Sequence, residues 1–249
     1  MTRQFMRSLA LPAAIVIAGA MISGSIIYSM HEASQAARAP DASGQQQAER
    51  TAPLQPNPVQ PPVDVADVST AGNPFIGSAT APAVMALWTD YQCPYCRQLE
   101  TTVIPKLVGD YVDTGKLRIV FKDFQFLGPD SQTAGLASRA VWEVAPDKFY
   151  EWHKAMFDRQ DGENTGWGSK TDIIALTKTI PGIDATKVEE FMMSHAPAYQ
   201  KAMDSDLAEG NAFGINGTPG AIVGKQLLAG AEPFEAFKMA MDAALQTPK

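Results

Sequence analysis

The feature that most constrains the fold is a Cys-x-x-Cys motif between a buried strand and a helix. The chain has two cysteines, and both lie in the tetrapeptide Cys93-Pro94-Tyr95-Cys96. The preceding apolar run, Ala83–Thr89, is short and continuous, which is typical of a strand buried on both faces. Pro94 favours the first position of a following helix, where its missing N–H costs nothing. The sequence therefore predicts a strand–turn–helix unit with both sulfurs at the turn.

The spacing of the two cysteines predicts thiol–disulfide exchange. A sulfur at the first turn of a helix meets unsatisfied backbone N–H groups and the positive end of the helix dipole, and both stabilise a thiolate. Cys93 is therefore the expected nucleophile. Cys96 follows one turn later on the same helix face, where it can resolve a mixed disulfide. We expect Tyr95 to shape the exposed contact surface between them.

Two other roles for the motif remain open. A zinc site uses the same spacing but needs two further ligands, and besides carboxylates the chain offers only His31, His153 and His195. An inert structural disulfide would close too short a loop to constrain much of the chain. We expect no metal and no cofactor other than the redox-active pair itself.

The rest of the chain alternates strand-like and helix-like segments, which predicts an α/β fold. Residues 117–122 form a second predicted strand with Leu117, Ile119 and Phe121 on one side. Pro105 should kink the helix before that strand. Residues 130–212 read as a run of helices inserted in the middle of the fold, and a hairpin and a last amphipathic helix follow them.

Thr218-Pro219 directly precedes the predicted hairpin. A proline that opens a strand after a glycine-flanked loop is a candidate for a cis peptide bond. In a loop that faces Cys93, the backbone of Thr218 could pair with an extended substrate, as in strand addition. Asp90, just before the cysteine motif, has two open roles: it either tunes the site or caps the turn between strand and helix.

The first 30 residues predict a signal anchor that crosses a membrane. Residues 8–30 contain no charged residue, and residues 9–28 alone are long enough to cross the hydrocarbon core of a bilayer as a helix. Arg3 and Arg7 favour a cytoplasmic N-terminus, with the remainder of the chain exported. The alternative is a cleaved signal peptide, with a small-x-small site at Ala37-Arg38-Ala39 and release of the domain into the periplasm.

Composition limits the partners and the linker. The chain has 20 Lys and Arg against 27 Asp and Glu, a formal charge of −7, so we expect no nucleic-acid partner. Residues 31–72 predict a Pro/Gln-rich linker that cannot bury enough apolar surface to fold. The folded domain is then expected over residues 73–249, on the extracytoplasmic side of the membrane.

These motifs resemble the DsbA-like thiol–disulfide oxidoreductases of the thioredoxin superfamily. The resemblance covers about residues 73–247, and four segments carry it: Asp90–Arg97, Lys122–Phe124, Gly214–Pro219 and Gly230–Phe234. It implies a thioredoxin fold with an inserted helical domain. It also implies a nucleophilic Cys93, a resolving Cys96, and a cis Pro219 that shapes the substrate groove. The chain departs from the best-known oxidases at Pro94-Tyr95, where they have Pro-His.

The resemblance implies oxidation of dithiols in exported proteins. Reduced or unfolded exported proteins would be the substrates, and a membrane redox partner would reoxidise the cysteine pair. We expect a monomer, because the polar residues 31–62 cannot form the added dimerisation domain of the related isomerases. Two alternatives are a disulfide isomerase or reductase, and a non-catalytic chaperone or binding module that uses only the groove. Leu87 stands where cytoplasmic thioredoxins carry a buried Asp, which makes a reducing thioredoxin less favoured.

Overall fold

A computed structural model describes residues 62–246. The predicted signal anchor, residues 1–30, and most of the predicted linker lie outside these residues. Between residues 62 and 246, no helix is both long and apolar enough to cross a membrane.

The described residues form a mixed α/β fold around a five-stranded sheet. The strands are β1 (Phe75–Ile76), β2 (Ala83–Thr89), β3 (Leu117–Asp123), β4 (Gly220–Val223) and β5 (Gln226–Ala229). Their order in the sheet is β1-β3-β2-β4-β5, so β2 is central. β2 and β3 are parallel, and the other neighbouring pairs are antiparallel. The predicted strands and the hairpin are confirmed.

Helices pack on both faces of this sheet. They are α1 (Pro94–Thr102), α2 (Ile104–Leu107), α3 (Pro129–Val144), α4 (Phe149–Arg159), α5 (Lys170–Thr177), α6 (Ala185–Ser194), α7 (Ala196–Ala212) and α8 (Phe234–Gln246). Short 3-10 helices at Val65–Asp67 and Pro146–Lys148 and a π-helical turn at Val108–Val112 complete the set. The helices α3 to α7 lie between β3 and β4 in the chain, which confirms the helical insertion.

The helix after the cysteines is broken, as Pro105 predicts. α1 ends at Thr102, and α2 begins at Ile104 with Pro105 in its first turn. Proline has no N–H to donate to the carbonyl four residues earlier, so the first helix cannot continue through it. The break lets the second segment bury Ile104 and Leu107 in the core.

β2 buries side chains on both sides of the sheet. Met85 and Leu87 face the larger hydrophobic cluster, to which α1 to α4 and α8 also contribute. Ala86 and Trp88 face the smaller cluster, on the other side. A strand covered on both faces needs no polar side, which explains why the sequence of β2 is apolar throughout.

Residues 63–72, which we assigned to the linker, pack against this domain. Val63 and Val68 are buried in the smaller cluster, and the N–H of Val65 donates to the carbonyl of Gly224 at 2.7 Å. The linker was defined by its overall composition, which conceals these valines. The packed part of the chain therefore begins about ten residues earlier than residue 73.

A buried ion network ties β3 to two helices of the insertion; its members are Asn73, Lys122, Asp123, Arg139, Asp206 and Glu209. Lys122 of β3 pairs with Asp206 of α7, and with Glu209 at 2.9 Å. Arg139 of α3 contacts Asp123 and Asp206, each at 2.6 Å. The predicted apolar side of β3 is confirmed, but its other side is buried as well, because α7 supplies carboxylates to Lys122.

Candidate active site

Cys93 ends the turn that leads from β2 into α1. It is the N-cap of α1, with an extended backbone (φ −79°, ψ 120°), and Pro94 occupies the first turn. The N–H of Cys93 donates to the carbonyl of Asp90 at 3.1 Å, and its carbonyl accepts from the N–H of Arg97 at 3.2 Å. Cys96 lies one turn later, and both cysteines are buried free thiols. The predicted strand–turn–helix unit is confirmed.

The two thiols differ in acidity. The pKa of Cys93 is lowered from its ordinary value to about 6. The largest cause is a hydrogen bond from the thiol of Cys96, which outweighs the opposing effect of burial. The pKa of Cys96 is raised well above its ordinary value, first by burial and then by its interaction with Cys93. A thiolate at neutral pH is therefore expected at Cys93 and not at Cys96.

The start of α1 is one of several causes of this acidity. We expected the helix terminus to stabilise the thiolate, and hydrogen bonds from the N–H groups of Cys96 and Tyr95 do lower the pKa of Cys93. The thiol of Cys96 comes first among the causes, however, and the side chain of Thr218 also contributes more than these N–H groups. The resolving cysteine and the facing loop thus stabilise the nucleophile together.

The loop before β4 lies against Cys93. The Cys93 thiol donates to the carbonyl oxygen of Thr218 at 3.3 Å, and the Thr218-Pro219 bond is cis, as predicted. Pairing of Gly220 with Trp88 of β2 brings this loop to the turn. A side chain at position 220 would start only 2.6 Å from a methyl carbon of Ile215, which explains the glycine after Pro219.

Pro94 and Tyr95 stand exposed at the tip of the turn. The side chain of Tyr95 is 62% exposed and that of Phe126, in the loop after β3, is 50% exposed. Hydrogen bonds from the N–H groups of Phe126 and Leu127 to Asp90 hold that loop beside the turn. Exposed aromatic side chains next to a reactive sulfur offer an apolar contact surface for a partner chain.

Asp90 caps the turn. Its carboxylate is fully buried and accepts hydrogen bonds from the N–H groups of Gln92, Phe126 and Leu127 and from the hydroxyl of Ser131. Burial is the main cause that raises the pKa of Asp90, and these four donors act against it. Of the two roles that the sequence left open, the contacts favour the cap.

The histidines of the described chain take part in other contacts. His153 of α4 is fully buried; its Nδ1 lies 2.7 Å from the hydroxyl of Tyr91, and its Nε2 lies 3.4 Å from Glu100. His195 is the N-cap of α7, and His31 lies outside the described residues. Over residues 62–246, no group of three or more His, Cys, Asp and Glu side chains could hold a metal ion.

The sequence indicated a Gly-rich loop at residues 161–168, between α4 and α5, but did not predict that this loop and Gln160 before it contact the redox turn. The side-chain amide of Gln160 donates to the carbonyls of Tyr91 and Cys93, and the N–H of Asn164 donates to the side chain of Gln92 at 2.9 Å. These partners are about 70 residues apart in the chain, and no local pattern marks them. This loop of the insertion lies directly behind the redox turn.

Known proteins resemble the chain in both sequence and fold. A family model described as thioredoxin matches residues 69–243. Disulfide bond formation protein D of Bacillus subtilis is 28% identical over 178 residues, which cover 72% of this chain and 79% of that protein. The probable disulfide bond formation protein D of Bacillus cereus is 27% identical over 173 residues, which cover 69% of this chain and 78% of that protein.

Solved structures share the fold. The crystal structure of oxidised BdbD from Bacillus subtilis matches with a TM-score of 0.66 and 24% identity, covering 72% of this chain and 96% of that one. The thiol-disulfide exchange protein α-DsbA2 from Wolbachia pipientis matches with a TM-score of 0.62 and 23% identity, covering 70% and 87% of the two chains.

Proposed function

The chain belongs to the thioredoxin family as a DsbA-like thiol:disulfide oxidoreductase, and we propose that it oxidises dithiols of exported proteins through the Cys93–Cys96 pair. The contrast in acidity between the two cysteines carries this proposal. A pKa of about 6 at Cys93 stabilises the reduced, thiolate form of the pair, which makes the corresponding disulfide a stronger oxidant.

Oxidation begins with the disulfide form of the enzyme. A substrate thiolate attacks the sulfur of Cys93, the Cys93–Cys96 bond breaks, and Cys96 leaves with the electron pair and takes up a proton. The raised pKa of Cys96 favours that protonation, which removes the competing nucleophile from the site. Cys93 is the expected sulfur under attack because it directly precedes the exposed Pro94 and Tyr95 at the tip of the turn and is less buried than Cys96.

The second step releases the product. A second substrate thiolate attacks the substrate sulfur of the mixed disulfide, and Cys93 leaves as a thiolate. A thiol of low pKa is a good leaving group, so the acidity of Cys93 speeds this step. The substrate is left with a disulfide, and the enzyme holds the two electrons. A membrane redox partner would accept them and restore the Cys93–Cys96 disulfide.

Thr218, Pro219 and Tyr95 are the proposed substrate contacts. The carbonyl of Thr218 already lies within hydrogen-bond distance of Cys93, so an extended segment that reaches the sulfur also reaches this backbone. Strand addition of that kind binds the substrate through main-chain hydrogen bonds, so it accepts substrates of many sequences. Exposed Tyr95 and Phe126 would contact the apolar side chains that unfolded or reduced proteins present.

We further propose an extracytoplasmic, membrane-anchored and monomeric enzyme. Support for the location and the anchor comes from the uncharged residues 8–30 and from Arg3 and Arg7 before them, which favour export of the domain. The monomer is proposed because residues 31–62 are too polar and proline-rich to form a dimerisation domain. An anchor would keep the enzyme close to emerging chains and to a membrane redox partner. Expression of the full chain with a protease-accessible tag at the C-terminus tests the location and the retention of the N-terminal segment.

Equilibration of the purified protein with glutathione redox buffers tests the direction of exchange. We expect a reduction potential of about −180 mV or higher, which is the range of protein oxidants. A value near about −270 mV, typical of thioredoxin, would replace the oxidase by a reductase. Cys93→Ser provides the control: if it still protects an unfolded client as the wild type does, the protein is a binding module.

A further inference from the structure

Gln160 links the helical insertion to the backbone of the redox turn. It follows the last residue of α4, and it is only 5% exposed. Its side-chain nitrogen Nε2 lies 2.7 Å from the carbonyl oxygen of Tyr91 and 3.0 Å from that of Cys93. One amide group of the insertion therefore spans the two carbonyls that flank Gln92.

These two carbonyls are shielded from water, and that of Cys93 also accepts from the N–H of Arg97, so Gln160 is its second donor. Tyr91 is 4% exposed and Cys93 is 5% exposed, so neither is well placed to use water in place of a protein donor. The carbonyl of Cys93 also carries the negative end of a dipole close to the sulfur that must ionise. A donor aimed at that oxygen offsets its partial charge and fixes the peptide plane that sets the direction of the Cys93 side chain.

Two further contacts join the same loop to the turn. The guanidinium of Arg97, in α1, donates to the backbone carbonyl of Gln160 at 3.0 Å. The N–H of Asn164 donates to the side-chain oxygen of Gln92 at 2.9 Å. The insertion thus holds residues on both sides of Cys93, and Gln160 is the member whose side chain reaches the nucleophile's own backbone.

We propose that Gln160 is a positioning residue, through which the helical insertion holds the backbone of Cys93 in the orientation that favours thiol–disulfide exchange. The proposal rests on the exchange chemistry proposed above. It gives the insertion a part in setting reactivity, in addition to covering the core. Gln160 itself forms and breaks no bond in the reaction.

The test compares Gln160→Met with Gln98→Met. Methionine keeps the length and much of the volume of glutamine but has no donor. Gln98 is exposed on α1, two residues after Cys96, so its substitution is a matched control for the loss of an amide near the motif. Thiolate absorbance titration of the reduced proteins, equilibrium with glutathione and the steady-state oxidation of a peptide dithiol are measured for each.

For Gln160→Met we expect the Cys93 thiolate fraction at pH 6 to fall about threefold, which corresponds to a pKa rise of about half a unit to one unit. The equilibrium constant with glutathione should shift about threefold toward the enzyme disulfide, and kcat should fall with KM nearly unchanged. Gln98→Met should match the wild type. Titration and equilibrium values equal to those of the wild type in both variants would overturn the proposal.

A second variant decides the matter should Gln160→Met fail to fold. Gln160→Asn keeps the amide but is one methylene too short to reach both carbonyls, so the proposal expects a smaller shift of the same sign. A folded Gln160→Asn with wild-type titration contradicts it. The thiolate titration needs no exchange partner, so it tests the role of Gln160 even if the wild type proves unable to oxidise dithiols.

Discussion

Two regions at the carboxyl ends of β2 and β3 bury ionisable groups in opposite ways. The last residues of these strands, Thr89 and Asp123, are direct neighbours in the sheet. β2 leads into the redox turn, where hydrogen bonds lower the pKa of Cys93. β3 ends in the buried ion network, where Lys122 and Arg139 meet three carboxylates at short distances.

The difference shows how a buried charge can serve reactivity or structure. In the ion network each charge contacts at least one opposite charge, and removal of the shared Asp206 would leave buried cations with fewer partners. At the redox turn hydrogen bonds are the leading causes that stabilise the thiolate, and its sulfur stays available to an incoming disulfide. Perturbed acidity therefore points to chemistry at Cys93. The pKa of Asp123 is also shifted, since burial raises it to about 6. There the burial belongs to the packing of the ion network and serves the structure.

The largest expected effect separates the two regions by activity. Cys93→Ser removes the attacked sulfur, and dithiol oxidation should fall by about a thousandfold or more, while the free energy of unfolding of the reduced protein changes little at pH 6. Stopped-flow oxidation of a reduced peptide measures this loss. Cys96→Ser is the control, since its Cys93 thiolate should still attack the disulfide form of the peptide, which forms a mixed disulfide and releases the other peptide sulfur as a thiolate. Substantial oxidation of the peptide by Cys93→Ser would show that Cys93 is not the attacked sulfur.

The second effect is on stability. Asp206→Ala leaves Lys122 and Arg139 without their shared partner, and the free energy of unfolding should drop by about 3–5 kcal/mol. Urea unfolding measures it. Asp204→Ala, on the exposed side of the same helix, should change stability by less than about 0.5 kcal/mol. In the folded Asp206→Ala protein the pKa of Cys93 should equal that of the wild type. A different pKa would mean that the ion network and the redox turn are coupled.

The third effect is the pH dependence of the reduced protein. The folded-state pKa of Cys93, about 6, lies below the value of about 8.5 for an unfolded cysteine. The thiolate therefore contributes stability that is fully present above pH 8.5 and is lost as the pH falls through 6. After allowance for solvent screening we expect about 1–2 kcal/mol.

Urea midpoints at pH 5.5 and pH 8 measure this contribution as the difference between the reduced wild type and Cys93→Ser. Subtraction of the variant removes the pH dependence of the ion network, including that of Asp123. If the difference in urea midpoint between the two proteins is the same at both pH values, the fold does not stabilise the Cys93 thiolate.

The smallest effect concerns one hydroxyl. Thr218→Val keeps the shape of the side chain but removes its buried hydroxyl, which has no hydrogen-bond partner among the described residues and so can donate to the Cys93 thiolate, whose pKa it lowers. That pKa should therefore rise by about half a unit to one unit. Thiolate absorbance measures it. Thr101→Val, which removes an exposed hydroxyl on α1, should leave the titration unchanged. A larger effect from Thr101 than from Thr218 would contradict the assignment of the facing loop.

The sequence predicted the parts of the site that local patterns determine. A continuous apolar run, a proline at the helix start and two cysteines one turn apart fix the strand, the turn and α1 within 20 residues. Thr218-Pro219 was found for the same reason, because a proline after a glycine-flanked loop is a local signal. The order of strands and helices then gave the thioredoxin fold and the insertion.

The contacts across the fold could not be predicted in this way. Gln160 is 67 residues from Cys93, and Asp206 is 83 residues from Asp123. A glutamine after a helix and an aspartate within one are ordinary surface residues in any local window. Lys122 likewise reads as the polar side of a half-exposed strand until α7 is packed over it. Only the packed chain reveals which polar side chains have lost their water and found a partner.

The position of the insertion in the strand order has a consequence for how such proteins can diversify. The chain leaves the sheet after β3 and returns at β4, and these are the two neighbours of β2. The segment between residues 123 and 220 thus starts and ends at strands that both pair with β2. Its length and sequence can therefore change while β3 and β4 keep their pairing with β2 and the redox turn keeps its place. A replacement module would face two demands: it must cover the apolar face of the sheet, and it must offer a donor to the carbonyls of Tyr91 and Cys93.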